Sequence, residues 1–207
     1  MKYRDQFFLL RDLIKETGLA KIWVYQNNQH FGTQRVFAYV LEQQEPPEIR
    51  ICVKDETEFS YENSLCDLLH ECGHILDFKR YGKTKRYKLC DDFYVEYSAL
   101  KSDYTFLKNV PRPMRVAVCI TEYMAWDYAK KLLEIWDINL NPDRILLEQT
   151  AHYQSMIIKY RSRRRIALEH ENALRNHFSL TRIYVTHKDI MGLRSLMDKE
   201  IYEPWLE

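Results

Sequence analysis

Glycine is scarce in this chain: five in 207 residues, with none between Gly82 and Gly192. Glycine punctuates irregular structure, so that gap, filled by residues with helical periodicity, predicts an almost wholly α-helical second half. Long apolar runs are also missing. None approaches the roughly eighteen residues a membrane span needs, so no membrane partner is expected. The five cysteines, Cys52, Cys66, Cys72, Cys90 and Cys119, are odd in number and form no C-x-x-C pair. That removes the Cys pairs of a zinc ribbon, and the segment after Met1 carries no signal-peptide core or cleavage site. Reduced thiols in a cytoplasm are therefore the expectation. Charge of one sign is lacking too. The 31 Lys and Arg against 30 Asp and Glu leave +1, which gives no whole-chain attraction for nucleic acid or membrane. Internal repeats and low-complexity tracts are absent.

What is present reads as a globular protein, 46% hydrophobic and 29% charged. Residues Asp5 to Glu16 place Phe7, Phe8, Leu10, Leu13 and Ile14 at helical spacing, with Gly18 as the stop. The period then changes. Lys21–Tyr25, Thr33–Leu41 and Glu48–Lys54 read as strands, with turns at Asn27–His30 and Pro46–Pro47. A helix from about Tyr61 to Arg80 follows, then a basic loop, Tyr81–Lys88, expected to be exposed. Asp91–Lys108 and a segment from Pro113 to about Trp136 read as helices, and Asn141-Pro142-Asp143 starts a long helical segment towards Phe178. Arg182–Thr186 reads as a short strand or extended segment, and a last helix runs from Lys188 to Ile201. The fold class is α+β: a small, mainly antiparallel sheet packed on the helix from Tyr61, followed by a helical C-terminal half. Residues 1–140 are expected to form one domain and 141–207 a helical extension packed on it.

That helix carries Leu68-Leu69-His70-Glu71-Cys72-Gly73-His74-Ile75-Leu76-Asp77, a His-Glu-x-x-His pattern in an apolar run. His70 and His74 are four residues apart and project from one helical face. Two imidazoles so placed can each donate a nitrogen to one tetrahedral zinc ion at about 2.0–2.1 Å. Glu71, one residue on and rotated by about 100°, faces the water to be activated rather than the ion. At this chain's His and Glu content the three fixed positions co-occur by chance in roughly one chain in fifty, so the surroundings must decide. Leu65, Leu68, Leu69, Cys72, Ile75 and Leu76 form an apolar face, so the helix is buried and its histidines point into the protein body or a cleft. Cys66, one turn before His70, is a candidate extra ligand, though a small buried apolar role suits a lone thiol better.

A catalytic zinc keeps three protein ligands. Two downstream glutamates qualify: Glu96 in Glu96-Tyr97-Ser98-Ala99, and Glu122 in Glu122-Tyr123-Met124-Ala125-Trp126. Glu122 falls within an apolar stripe of Val118, Ala125, Ala129, Leu132 or Leu133, and Trp136, where a carboxylate is costly unless a cation compensates it. Glu96 shares its face with Asp92 and Asp103 and looks wetter. Glu122 is favoured, with Glu96 open as the alternative.

The stretch Leu69–Asp77, together with Glu122-x-x-Ala125-Trp126, resembles the zincin-like metallopeptidases of the ImmA/IrrE type and their phage-encoded relatives. That resemblance covers roughly residues 20–136. It implies a zincin-like fold, Zn2+ held by His70, His74 and Glu122, and Glu71 as catalytic base. The chain departs from the family at Cys72, where an aliphatic residue is usual. It departs again at Trp126, where some zincins hold an Asp; here Asp127 is one residue further on.

The leading reading is a cytoplasmic zinc peptidase acting on a protein or peptide, whose substrate strand adds to the sheet edge. Tyr97, Tyr123, His152 and Tyr153 are candidates to stabilise the oxyanion. The alternative is a non-enzymatic zinc-containing module that binds protein or nucleic acid, for which a closed four-ligand site would speak. Its basic run, Lys159–Arg165, is read first as a solvated face or partner contact. A DNA-associated protease of the SprT kind needs a downstream His close to the motif, and here the next is His152.

Overall fold

The structure is a computed structural model describing residues 2–26, 38–41, 43–97, 110–162 and 176, with 38, 39, 97 and 153–162 described by backbone alone. Eight elements follow in order: α1 (Tyr3–Glu16), β1 (Lys21–Gln26), β2 (Ala38–Leu41), β3 (Glu48–Val53), α2 (Glu58–Tyr81), α3 (Lys85–Tyr97), α4 (Arg112–Ile135) and α5 (Pro142–Ser162). The class is α+β. Among the described residues the chain divides into two compact units, one from Met1–Phe78 and Met124–Ile145, the other from Lys79–Tyr123 and Leu146–Glu207. The turn at Asn27–His30, the first part of the expected second strand, residues 98–108, Arg163–Arg165, the strand at Arg182 and the helix at Lys188 lie outside the described residues.

In the first unit α1 ends where the sequence places its stop. Gly18 adopts φ +65°, and the Leu19 N–H reaches back to the Ile14 carbonyl at 3.1 Å. The three strands form one sheet in the order β1-β3-β2. β2 pairs antiparallel with β3, and β1 pairs parallel with β3, setting Ile22 opposite Ile49 and Val24 opposite Ile51. The sheet is therefore mixed, not mainly antiparallel. The hairpin of β2 and β3, whose connection contains a cis Glu45–Pro46 peptide, presents β3 rather than β2 to β1. Neighbours in sequence usually pair; here β1 and β2 do not.

Ile22, Ile49, Ile51 and Val53 bury one face of the sheet against Phe7, Leu10 and Ile14 of α1, Leu65, Leu68, Leu69, Cys72 and Ile75 of α2, and Trp126, Ala129, Leu132 and Leu133 of α4. Leu65, Leu68 and Leu69 are fully enclosed, each stabilising the fold by about 1.5–3 kcal/mol. α2 starts at a built cap. The Thr57 hydroxyl oxygen accepts from the Ser60 N–H at 3.2 Å, and the Asp55 carboxylate accepts from the Thr57 N–H at 3.0 Å and the Ser60 hydroxyl at 2.6 Å. From Leu68 to Gly73 every residue of α2 is buried, so the helix is enclosed all round at the motif rather than on one face.

The second unit corrects the basic loop. Only the residues around Gly82–Thr84 form a turn, and α3 begins at Lys85, six residues earlier than the sequence reading. The Thr84 hydroxyl donates to the Tyr81 carbonyl at 2.7 Å, closing α2, while the Lys88 N–H bonds the Thr84 carbonyl and opens α3. Arg86, expected in solvent, is fully buried. Its guanidinium lies over the Tyr81 and Tyr87 rings at 5.5 and 4.7 Å and donates to the Thr121 hydroxyl at 3.0 Å. Cys90, Phe93, Val110, Met114, Ala117, Val118 and Cys119 form this unit's core. The start of α5, which belongs to the first unit, falls where the sequence indicates, Asn141 capping the Asp143 N–H at 3.0 Å with Pro142 in first position.

Candidate metal centre

Helical geometry brings the two motif histidines together. His70 is buried and His74 half-buried, and their Nε2 atoms face each other at 3.1 Å with the rings at 76°. Two ligand atoms on one tetrahedral zinc, with bonds of 2.0–2.1 Å, stand roughly 3.3–3.4 Å apart. The pair thus needs only a few tenths of an ångström to share an ion, and its donor chemistry fits zinc. The His70 ring is held by Trp126 of α4, which stacks on it with centroids 4.3 Å apart and planes at 29°. Gly73 makes this approach of α2 and α4 workable. A Cβ there would stand 2.7 Å from the Ala125 carbonyl carbon and 2.9 Å from its Cα.

Glu71 is buried beside the pair. Burial, with the Glu71 carboxylate adding to it, pushes the Cys72 thiol well above its ordinary range. Cys72 is accordingly a protonated core side chain. Cys66 is likewise enclosed in the apolar cluster of α1, α2 and the sheet. Asp127, one place beyond the position where some zincins carry an Asp, is engaged by Lys130 and Lys131, each at 3.1 Å.

The two glutamates differ in environment. Glu96 is exposed on α3, as its wetter face implies. The Glu122 side chain on α4 is 15% exposed, and its Oε2 lies 3.8 Å from His152 Nε2 of α5. Glu122 precedes Ala125 and Trp126 by one helical turn of α4. The structure thus brings His70 and His74 together with Glu71 next to them, and sets Glu122 beside His152. Among the oxyanion candidates Tyr123 is buried, while the side chains of Tyr97 and Tyr153 lie outside the described residues.

Two residues of the site escaped the sequence reading of the ligand set. Trp126 stood there as a departure from the family pattern, not as the support of His70. His152 was weighed as an oxyanion donor and, as the downstream histidine of a SprT-type site, was set aside for its distance from the motif in sequence. A signal for it exists: Ile145, Glu148, Gln149 and His152 follow the i, i+3, i+4, i+7 rule, and Glu148 and Gln149 are buried. Polar residues on the inward stripe of a helix need partners there, so the stripe is where a contact such as that of His152 could have been sought. Comparison with family models, curated proteins and solved structures finds no match to this chain.

Proposed function

We propose that this chain is a zinc-dependent peptidase of the zincin type, resembling the ImmA/IrrE metallopeptidases and acting on a protein or peptide in the cytoplasm. The observation that carries the reading is the approach of the His70 and His74 Nε2 atoms to 3.1 Å, with a buried carboxylate, Glu71, between them in sequence. In this reading His70, His74 and Glu122 hold the ion. Zinc, when bound, polarises the scissile carbonyl and lowers the pKa of water to about 7. Glu71 takes the proton from the attacking water and returns it to the leaving amine. Trp126 fixes the plane of the His70 ring, so the imidazole meets the ion without a search over rotamers. Among the described residues β1 and β2 are the edge strands of the sheet, and an extended substrate can pair with one of them. Buried thiols throughout suit a reducing compartment, and no helix among the described residues is long and apolar enough to cross a membrane.

A second reading, a non-enzymatic zinc-containing module that binds protein or nucleic acid, is favoured by one observation: His152 beside Glu122 offers a further protein ligand. Zinc content and peptide cleavage decide between them. His70→Ala and His74→Ala should each release zinc, and Glu71→Gln should retain zinc and lose hydrolysis. Full metal occupancy in both histidine variants would remove the zinc site. Unchanged turnover in Glu71→Gln would remove Glu71 from the mechanism.

A further inference from the structure

One stretch of the chain carries charge that the metal centre does not use. From Lys79 to Lys88 six of the ten residues are Lys or Arg and none is Asp or Glu, in a chain whose net charge is only +1. All ten belong to the second unit. Arg86 and Tyr87 are buried, while Lys79, Arg80, Lys83, Lys85 and Lys88 are exposed. Their backbone forms a held corner. The Thr84 N–H bonds the Tyr81 carbonyl at 2.9 Å and the Lys88 N–H bonds the Thr84 carbonyl at 3.2 Å. Arg86 anchors the corner from inside through the Thr121 hydroxyl.

Helix stability explains part of this charge and not the rest. Lys79 and Arg80 fall in the last turn of α2, where cations suit the negative end of the helix dipole. Lys83, Lys85 and Lys88 stand at the start of α3, the positive end, where Asp or Glu is favoured and cations are not. The first turns of α1, α2 and α5 carry Asp5, Glu58 and Asp143, whereas the first turn of α3 carries no acid. A polyanion lying over the corner would compensate lysines that the helix itself disfavours.

We propose that this corner binds the phosphate backbone of duplex DNA without regard to sequence. It offers no exposed aromatic ring: Tyr87 is buried, and the half-buried Tyr81 ring is faced by Arg80 at 5.2 Å and Arg86 at 5.5 Å. A single strand is gripped by stacking on aromatic rings as well as by charge. A duplex presents its phosphates alone, at one charge per about 1.7 Å. No large apolar side chain of the corner is exposed, so nothing in it enters a lipid surface.

The test titrates a short labelled DNA duplex with the full chain between about 50 and 200 mM salt. Log affinity should fall against log salt with a slope of about −4.5, roughly −0.9 for each of the five exposed cations. Changing Lys83, Lys85 and Lys88 together to Gln should make the slope shallower by about 2.7 and weaken binding at low salt by about tenfold or more. The same charge change at the exposed Lys2, Lys15 and Lys21 should leave the slope unchanged. The corner variant should melt no lower than the unmodified chain, because it removes cations from the positive end of α3. A lower melting temperature would show that the lysines serve the fold instead. Equal slopes in the two variants, or no DNA binding at about 50 mM salt, would overturn the proposal. Tighter binding to a single strand of the same sequence would overturn it too, as would corner-dependent binding to phosphatidylserine vesicles in place of DNA.

Discussion

The Trp126 indole lies nearly parallel to the His70 imidazole, 4.3 Å away between ring centres. A core residue and a ligand candidate thus share one contact, and truncation should separate its two roles. Trp126 is 4% exposed, so Trp126→Ala should cost about 3–5 kcal/mol of stability. Trp126→Phe keeps a ring and should recover most of both stability and zinc affinity. Urea melts with and without zinc measure the two effects. Equal zinc affinity in Trp126→Ala and the unmodified chain would show that the stack does not position the imidazole.

Burial separates the two glutamates. Glu96 is exposed, and Glu96→Ala should leave zinc affinity nearly unchanged. Glu122, whose side chain is 15% exposed, is expected to be a ligand. Glu122→Ala should lower affinity by more than the roughly 10–100-fold of an outer-partner change. Zinc titration of both variants checks this, and the reverse ordering would hand the role to Glu96.

Gly73 lies between the two histidines in sequence and against Ala125 in space. Gly73→Ala adds a methyl where the obstacle is backbone, which cannot swing aside as a side chain can. The expected cost is at the upper end of the roughly 1–3 kcal/mol of overpacking, read as a lower urea midpoint. The neighbouring Cys72 is buried without such a clash to create. Cys72→Ala should therefore cost only its lost packing, and a larger loss there than at Gly73 would refute the argument.

The cap of α2 carries a pH signature. Hydrogen bonds from Ser60 and then Thr57 lower the Asp55 carboxyl from 3.8 to about 2. A carboxylate depressed in the folded state stabilises it in full above its unfolded pKa and loses that contribution as pH falls through the folded value. The melting-temperature gap between the unmodified chain and Asp55→Asn should therefore be constant above about pH 4 and should close between 3.8 and 2. Asp55 is exposed, so the gap is small and salt-sensitive. A gap that widened on acidification would contradict the cap.

Local chemistry was legible in the sequence. The His-Glu-x-x-His helix, the Gly18 stop, the Asn141-Pro142 start and the apolar stripe of α4 all follow from spacing and capping. Long-range choices were not. Nothing in β1, β2 or β3 says which strand lies in the middle, because the same alternation serves either order. Arg86 was hidden by its company: four of the seven residues from Lys83 to Leu89 are Lys or Arg, and only the Thr121 hydroxyl and two tyrosine rings single it out. The contact of His152 with Glu122 was not foreseen because the two lie 30 residues apart on different helices, a separation no local period reports.

All five cysteines are enclosed, none more than 5% exposed, and burial raises the thiols of Cys72 and Cys90, the latter to about 12. An alkylating reagent therefore meets none of them until the fold opens around it. Cys52, Cys66 and Cys72 belong to one compact unit, Cys90 and Cys119 to the other. The chain so carries its own clock. The order in which the two sets gain mass under a slow alkylator reads out which unit opens first, and whether zinc delays the first set more than the second.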